Sequence, residues 1–174
     1  MKNVLNNFIK DVKAELDDEF DQNFQRKGFF SDKWKETKHP NSRGSLMMRT
    51  GMLRKSISSS ISGSNITWSS SVPYASIHNE GGNITVTKKM KSFFWAMYYK
   101  SSGAVSGKGS KRDQSMNAEA SKWKAMALMP VGKIIKIEQR QFIGDHRNVR
   151  EAVENVFQEN SEEFRKYILA KLKK

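Results

Sequence analysis

The chain contains no cysteine. That excludes disulfides, a thiolate nucleophile and thiolate-ligated zinc, and it fits a reducing compartment. Long apolar runs are also missing: none approaches the roughly 20 residues that a membrane-spanning helix needs. The opening MKNVLNNFIKDVKAELDDEF carries acids and no continuous apolar segment, so it is expected to be neither signal peptide nor membrane anchor. No nucleophile elbow (G-x-S-x-G), P-loop or dinucleotide fingerprint occurs. The three histidines, His39, His78 and His146, lack the paired spacing of metal ligands. The expectation is a protein that is not an enzyme and carries no cofactor and no metal.

Acidic side chains are scarce, 18 against 31 Lys and Arg, for a net charge of +13. The imbalance is local. Residues 1–24 carry a net −3, residues 25–128 a net +13 and residues 129–174 a net +3. A basic middle attracts polyanions, either nucleic acid or an acidic protein, although a lysine-rich surface also serves solubility alone. At 174 residues, 37% of them hydrophobic, the chain is long enough for one domain with a real core.

Two amphipathic helices are expected to bracket the chain. Leu5, Phe8, Val12, Leu16, Phe20 and Phe24 recur every three or four residues and form one stripe, which Gly28 terminates. Phe29, Phe30 and Trp34 then bring aromatic bulk to the core, before a polar loop from Lys35 to Ser45. At the other end Asp145 is expected to cap a helix striped by Val149, Val153, Val156, Phe157, Phe164, Ile168 and Leu172. Its acids come early and its lysines late, as the helix dipole favours.

Between them lie two dense signatures, T-G-x-L-R-x-S-I at Thr50–Ile57 and Y-A-x-I-H-N-E-G-G at Tyr74–Gly82. Thr50 is expected to cap a short helical turn that sends Leu53 and Ile57 inward and Arg54 outward. Strands are expected at Ser58–Ile61 and Ile66–Val72, joined by Gly63-Ser64-Asn65, with a third at Asn83–Thr87. Gly81 and Gly82 release the turn that holds Tyr74 and His78. The dense aromatics from Phe93 to Tyr99 predict a short helix or plug. Ser101–Ser121 reads as a flexible loop, Trp123–Met129 as another short helix and Val131–Ile137 as a strand. Gln139–Gly144 is expected to close the sheet region. The fold class is α+β: a small antiparallel sheet flanked by two helices, one domain over 1–174 with an insertion at about 100–121.

His78 beside Glu80 permits a general-base reading, but a structural histidine next to a glycine turn is the simpler one. Lys88, Lys89 and Lys91, followed by aromatics, invite phosphate contact and base stacking. Lys108, Lys111 and Arg112 add positive charge to the expected loop. Clustered aromatics are equally the mark of core. A basic nucleic-acid-binding module therefore stands as the alternative to a structural subunit.

The order of these motifs resembles one family, the virion morphogenesis or tail-completion proteins of tailed bacteriophages. The resemblance rests on the aromatic segment around Trp34 and on L-M-M-R-T-G-M-L-R-K-S-I. It rests also on Y-A-S-I-H-N-E-G-G with a following strand, and on I-K-I-E-Q-R-Q-F-I-G before the closing helix. Glu138 stands where that family often has proline, and the central insertion is long. The resemblance implies a virion subunit, assembled in the host bacterial cytoplasm, that works at the neck or head-proximal tail end by ring-like assembly. Implied partners are further copies of itself and the connector, neck, tail-tube or tail-terminator proteins, with non-specific contact to packaged DNA and no membrane. Thr50, Gly51, Leu53, Arg54, Tyr74, His78, Gly81, Gly82, Arg140, Phe142 and Gly144 carry the motifs. Arg140 and Phe142 have two readings, as contacts for a neighbouring subunit or, for Phe142, as plain core.

Overall fold

The computed structural model describes residues 2–36, 45–103 and 109–172. Its order is α1 (Lys2–Arg26), β1 (Gly28–Phe29), β2 (Asp32–Lys33), α2 (Met52–Lys55), β3 (Ile57–Ser62), β4 (Asn65–Ser70) and α3 (Ala75–Glu80). Then follow β5 (Gly82–Thr85), α4 (Lys88–Gly103), α5 (Lys111–Ala127), β6 (Ile134–Ile137) and α6 (Arg147–Leu172). The class is α+β. The strands do not join one sheet: among the described residues they form three antiparallel pairs, β1–β2, β3–β4 and β5–β6. Two compact units emerge, one built from residues 1–37, 44–80 and 139–174, the other from 38–43 and 81–138.

In the first unit the expected stripe on α1 is buried from Ile9 onward: Val12, Leu16, Phe20 and Phe24 are core, while Leu5 is exposed. Ala152 and Val156 of α6 pack against it with Phe29 and Phe30. β1 and β2 make a minimal hairpin, Gly28 opposite Lys33 and Phe29 opposite Asp32. Its turn forces Phe30 to a positive φ of 52°, a costly conformation for a bulky residue. Asn23, wholly buried, accepts a 2.8 Å hydrogen bond from the Phe30 amide and so stabilises that turn. A Cβ on Gly28 would sit 2.7 Å from the Asp32 carbonyl oxygen, so only glycine allows the strands this close.

β3 and β4 pair from Ile57–Ser70 to Ser62–Asn65 around a two-residue Gly63-Ser64 turn, with Gly63 at φ 62°. Trp68 packs edge-on to Phe20 at 5.3 Å. Its Nε1 and the Ser59 hydroxyl both donate to Asp17 at 2.7 Å, pinning the hairpin to α1.

Three local expectations need correction. Gly51, at φ 72°, is the residue before α2, and Thr50 lies one position earlier, its hydroxyl accepting from the Met52 amide at 3.4 Å. His146, not Asp145, precedes α6: its Nδ1 accepts from the Asn148 amide at 3.2 Å, while Asp145 pairs outward with Arg150. Its ring is fixed for that task by stacking on Phe30 at 5.0 Å. Gln139–Gly144 does not close a sheet. The Arg140 amide donates to the His78 carbonyl and the Phe142 and Ile143 amides to Asn79, while the Gln141 and Phe142 carbonyls accept from Trp34 and Asn23.

In the second unit β5 pairs with β6, Gly82 opposite Ile137 and Thr85 opposite Ile134. Most of the stretch read as a flexible loop is helical. Ser101–Gly103 end α4, Lys111–Ser121 open α5, and residues 104–108 lie outside the described residues. Periodicity missed these turns because their inward residues are small or polar: Ser101, Asp113 and Ala120 are buried. Ser110 caps α5, accepting from the Asp113 amide at 3.1 Å. Phe94 stacks on Trp123 at 6.0 Å and joins the two helices.

Replacing Asn23 by alanine strands the Phe30 amide and the Phe142 carbonyl in the core. A loss of about 2–4 kcal/mol in unfolding free energy is expected, read as a lower urea midpoint at unchanged slope. A variant within about 0.5 kcal/mol of the wild type would show that the carboxamide does not hold the turn.

Candidate functional site

Of the motif residues, Leu53, Arg140 and Phe142 are buried in the first unit, whereas Tyr74 is exposed and Gly81 and Gly82 belong to the second. Leu53, Ala75, Phe142, Phe24 and Trp34 form one buried cluster. Phe142 is 2% exposed and sits 5.1 Å from the Phe24 ring. Its carbonyl accepts from Asn23 Nδ2 at 3.2 Å, and its amide donates to Asn79 Oδ1 at 2.9 Å. The Ile143 amide donates to the same oxygen at 3.1 Å. Trp34 Nε1 donates to the Gln141 carbonyl at 2.7 Å. Arg140, 9% exposed, spends its guanidinium on the Lys35 carbonyl through Nε at 3.3 Å and Nη2 at 3.2 Å. Both Arg140 and Phe142 are thus committed within the subunit.

The glycines of the motifs are there for backbone reasons. Gly51, Gly81, Gly82 and Gly144 hold φ values of 72°, 74°, 144° and 150°, a region that side chains disfavour. Arg54 projects from α2 to Asp21 of α1 in a two-pronged ion pair. Tyr74 is largely exposed and meets the His78 ring edge-on at 6.0 Å.

His78 Nδ1 is buried without a hydrogen-bond partner. Burial, and secondarily the nearby Arg140 charge, push its pKa below the ordinary value. No hydrogen bond joins it to Glu80, whose side chain is exposed. A neutral, orphaned ring nitrogen next to a guanidinium suits packing between Tyr74 and the Arg140 segment.

A pocket of about 210 Å³ opens beside the Arg54–Asp21 pair, lined also by Asp17, Phe20, Ile57, Ser58, Ser59 and Trp68. That is small beside the ~300–1,000 Å³ of usual ligand sites. Its carboxylates are already engaged, Asp17 by Lys13, Ser59 and Trp68 and Asp21 by Arg54. Burial alone would raise the Asp17 carboxyl, but hydrogen bonds from Lys13, Ser59 and Trp68 outweigh it and hold the pKa low. Among the described residues no group of three His, Asp or Glu could hold a metal, and no helix is long and apolar enough to cross a membrane.

Two surfaces remain available. On the first unit, Phe8 packs edge-on against Phe157 and Phe164. On the same two helices Leu5, Phe157, Ile168, Leu169 and Leu172 are exposed, Leu172 to 77%. On the second unit, Lys88, Lys89 and Lys91 open α4 and Lys111 opens α5. Lys108 lies outside the described residues, and Arg112 is placed only as a residue of α5. The 58 residues from 81 to 138 hold 11 Lys and Arg against 3 acids.

Sequence reading missed Asn23, Asn79, the Asp17 hub and the His146 cap. Asn23 left a trace: a polar residue beside Phe24 and three from Phe20 lies on the buried face of its helix. Asn79 and His146 left none, because what they hold is remote in sequence or is bare backbone.

A family model described as the phage virion morphogenesis family matches residues 22–161. No curated protein and no solved structure matches the chain.

His78 makes a pH prediction. A histidine with a depressed folded pKa takes its proton more readily unfolded, so its stability contribution is full above pH about 6.5 and is lost as pH falls through that window. Asp17, held low, loses its contribution only as pH falls below about 4. Between pH 7 and 5 the melting temperature of His78→Gln should therefore fall less than that of the wild type. Parallel falls would remove His78 as the titrating group.

Proposed function

This chain belongs to the phage virion morphogenesis family, and on that premise we propose that it is a structural, non-catalytic subunit of the virion neck. In this reading it acts at the head-proximal end of the tail, completing the tail and joining it to the head as a ring of copies of itself. Connector or neck proteins lie on one side and tail-tube or terminator proteins on the other. The observation that carries the reading is the set of exposed apolar residues of α6 from Phe157 onward. In a chain with 28% charged residues, Phe157, Ile168, Leu169 and Leu172 stand exposed on one helix. A second copy supplies matching apolar surface, as self-association requires.

The motifs support the same reading from the inside. They hold the first unit together and leave its exposed apolar residues free for assembly, which suits a part whose work is shape. The small, internally satisfied pocket offers no competing substrate site.

A phage carrying Ile168→Glu and Leu169→Glu should yield filled heads beside unattached or abnormally long tails in lysate micrographs. A stop codon at Trp34 should give the same picture. The charged subunit should keep its melting temperature and lose self-association by about 30-fold or more, as buried charges at an interface centre do. Normal infectious particles from the stop-codon phage would overturn the neck reading. Normal self-association of the charged variant would remove these α6 residues from it.

A further inference from the structure

The α4–α5 hairpin has two flanks of different character. On one, Phe93 and Phe94 pack on Trp123, whose Nε1 donates to Glu119 at 3.3 Å. On the other, Trp95 stacks on Tyr99 at 6.0 Å and meets Tyr98 edge-on at 5.7 Å. Lys124 of α5 lies over the Tyr98 ring at 5.9 Å. Lys88, Lys91, Trp95, Tyr98 and Tyr99 follow helical spacing, so two cations lead into three rings along this second flank, with Lys124 of α5 beside the rings. Tyr99 is 65% exposed.

Three observations set this flank apart from ordinary core. Trp34, Trp68 and Trp123 each donate Nε1 to a protein acceptor, whereas among the described residues Trp95 donates to none. Lys88, Lys91 and Lys124 form no ion pair among the described residues. The two acids of these helices are kept away, Asp113 buried at the start of α5 and Glu119 held to Trp123 on the opposite flank.

We propose that the Lys88–Lys91–Trp95–Tyr99–Lys124 flank binds single-stranded nucleic acid without sequence preference. Lys88, Lys91 and Lys124 neutralise phosphates, and the exposed Tyr99 face, backed by Trp95, stacks an unpaired base. α4 is 16 residues long, about 24 Å of track, which accommodates several nucleotides. An acidic protein would satisfy the lysines and leave the π faces and the free indole N–H unused. Nucleic acid uses all three. The inference is independent of the chain's place in the virion.

The test is fluorescence anisotropy of the full chain with a labelled oligothymidylate of about 20 nucleotides, with a duplex and poly-glutamate as competitors. Binding should weaken as salt rises. Lys88→Ala, Lys91→Ala and Lys124→Ala together should lower the slope of log affinity against log salt by about 2. Tyr99→Ala should weaken binding about tenfold, with circular dichroism unchanged. Neutralising Lys10, Lys55 and Lys166 of the first unit instead should leave Tyr99-dependent binding intact. Absence of binding, or equal competition by poly-glutamate, would overturn the proposal, as would a duplex preference indifferent to Tyr99.

Discussion

The first unit depends on one buried carboxamide. Asn23 points both of its polar atoms at backbone, the Phe30 amide on one side and the Phe142 carbonyl on the other. Those groups lie in the first turn residue of the β1–β2 hairpin and in a segment 119 residues from Asn23. The Phe30 turn is strained and the Phe142 segment belongs to no strand, so neither has a ladder to satisfy it. Without Asn23 both would be stranded in a core of Phe20, Phe24, Phe29 and Phe142 rings. A buried backbone group without a partner costs more than most single contacts provide.

The same logic extends to Asn79, which takes the Phe142 and Ile143 amides, and to His78, whose carbonyl accepts from the Arg140 amide at 2.8 Å. These bonds place the end of α3 beside the return segment at Gln139. The chain therefore leaves the first unit at Glu80 and re-enters it at an adjacent point. That geometry explains how 58 residues of different character fit inside it at little cost to the host core. It also explains the motifs. The I-H-N-E and R-Q-F-I-G residues are the two sides of the junction, and their chemistry is hydrogen bonding to backbone.

Legibility followed periodicity. The α1 stripe, the β3–β4 hairpin and the length of α6 were readable because large apolar residues recur at fixed spacing. Residues 111–121 were not readable, because α5 turns Asp113 and Ala120 inward and relies on Ser110 for its start. Thr50 and Asp145 are good capping residues by type, yet the backbone uses Gly51 and His146. At the first, a left-handed turn excludes a side chain. At the second, stacking on Phe30 delivers a ring nitrogen. The Lys88, Lys89 and Lys91 cluster was visible in sequence. Lys124 was not, since only the pairing of α4 with α5 brings it over Tyr98.

The most direct test of this account replaces residues 81–138 with a short Gly/Ser linker and measures amide hydrogen exchange. If the Asn23 and Asn79 bonds close the first unit unaided, it unfolds cooperatively, and the Phe30, Phe142 and Ile143 amides exchange only through global unfolding. Rapid exchange at Phe142 and Ile143 in an otherwise folded unit would contradict it, because the junction would then owe its order to the insertion.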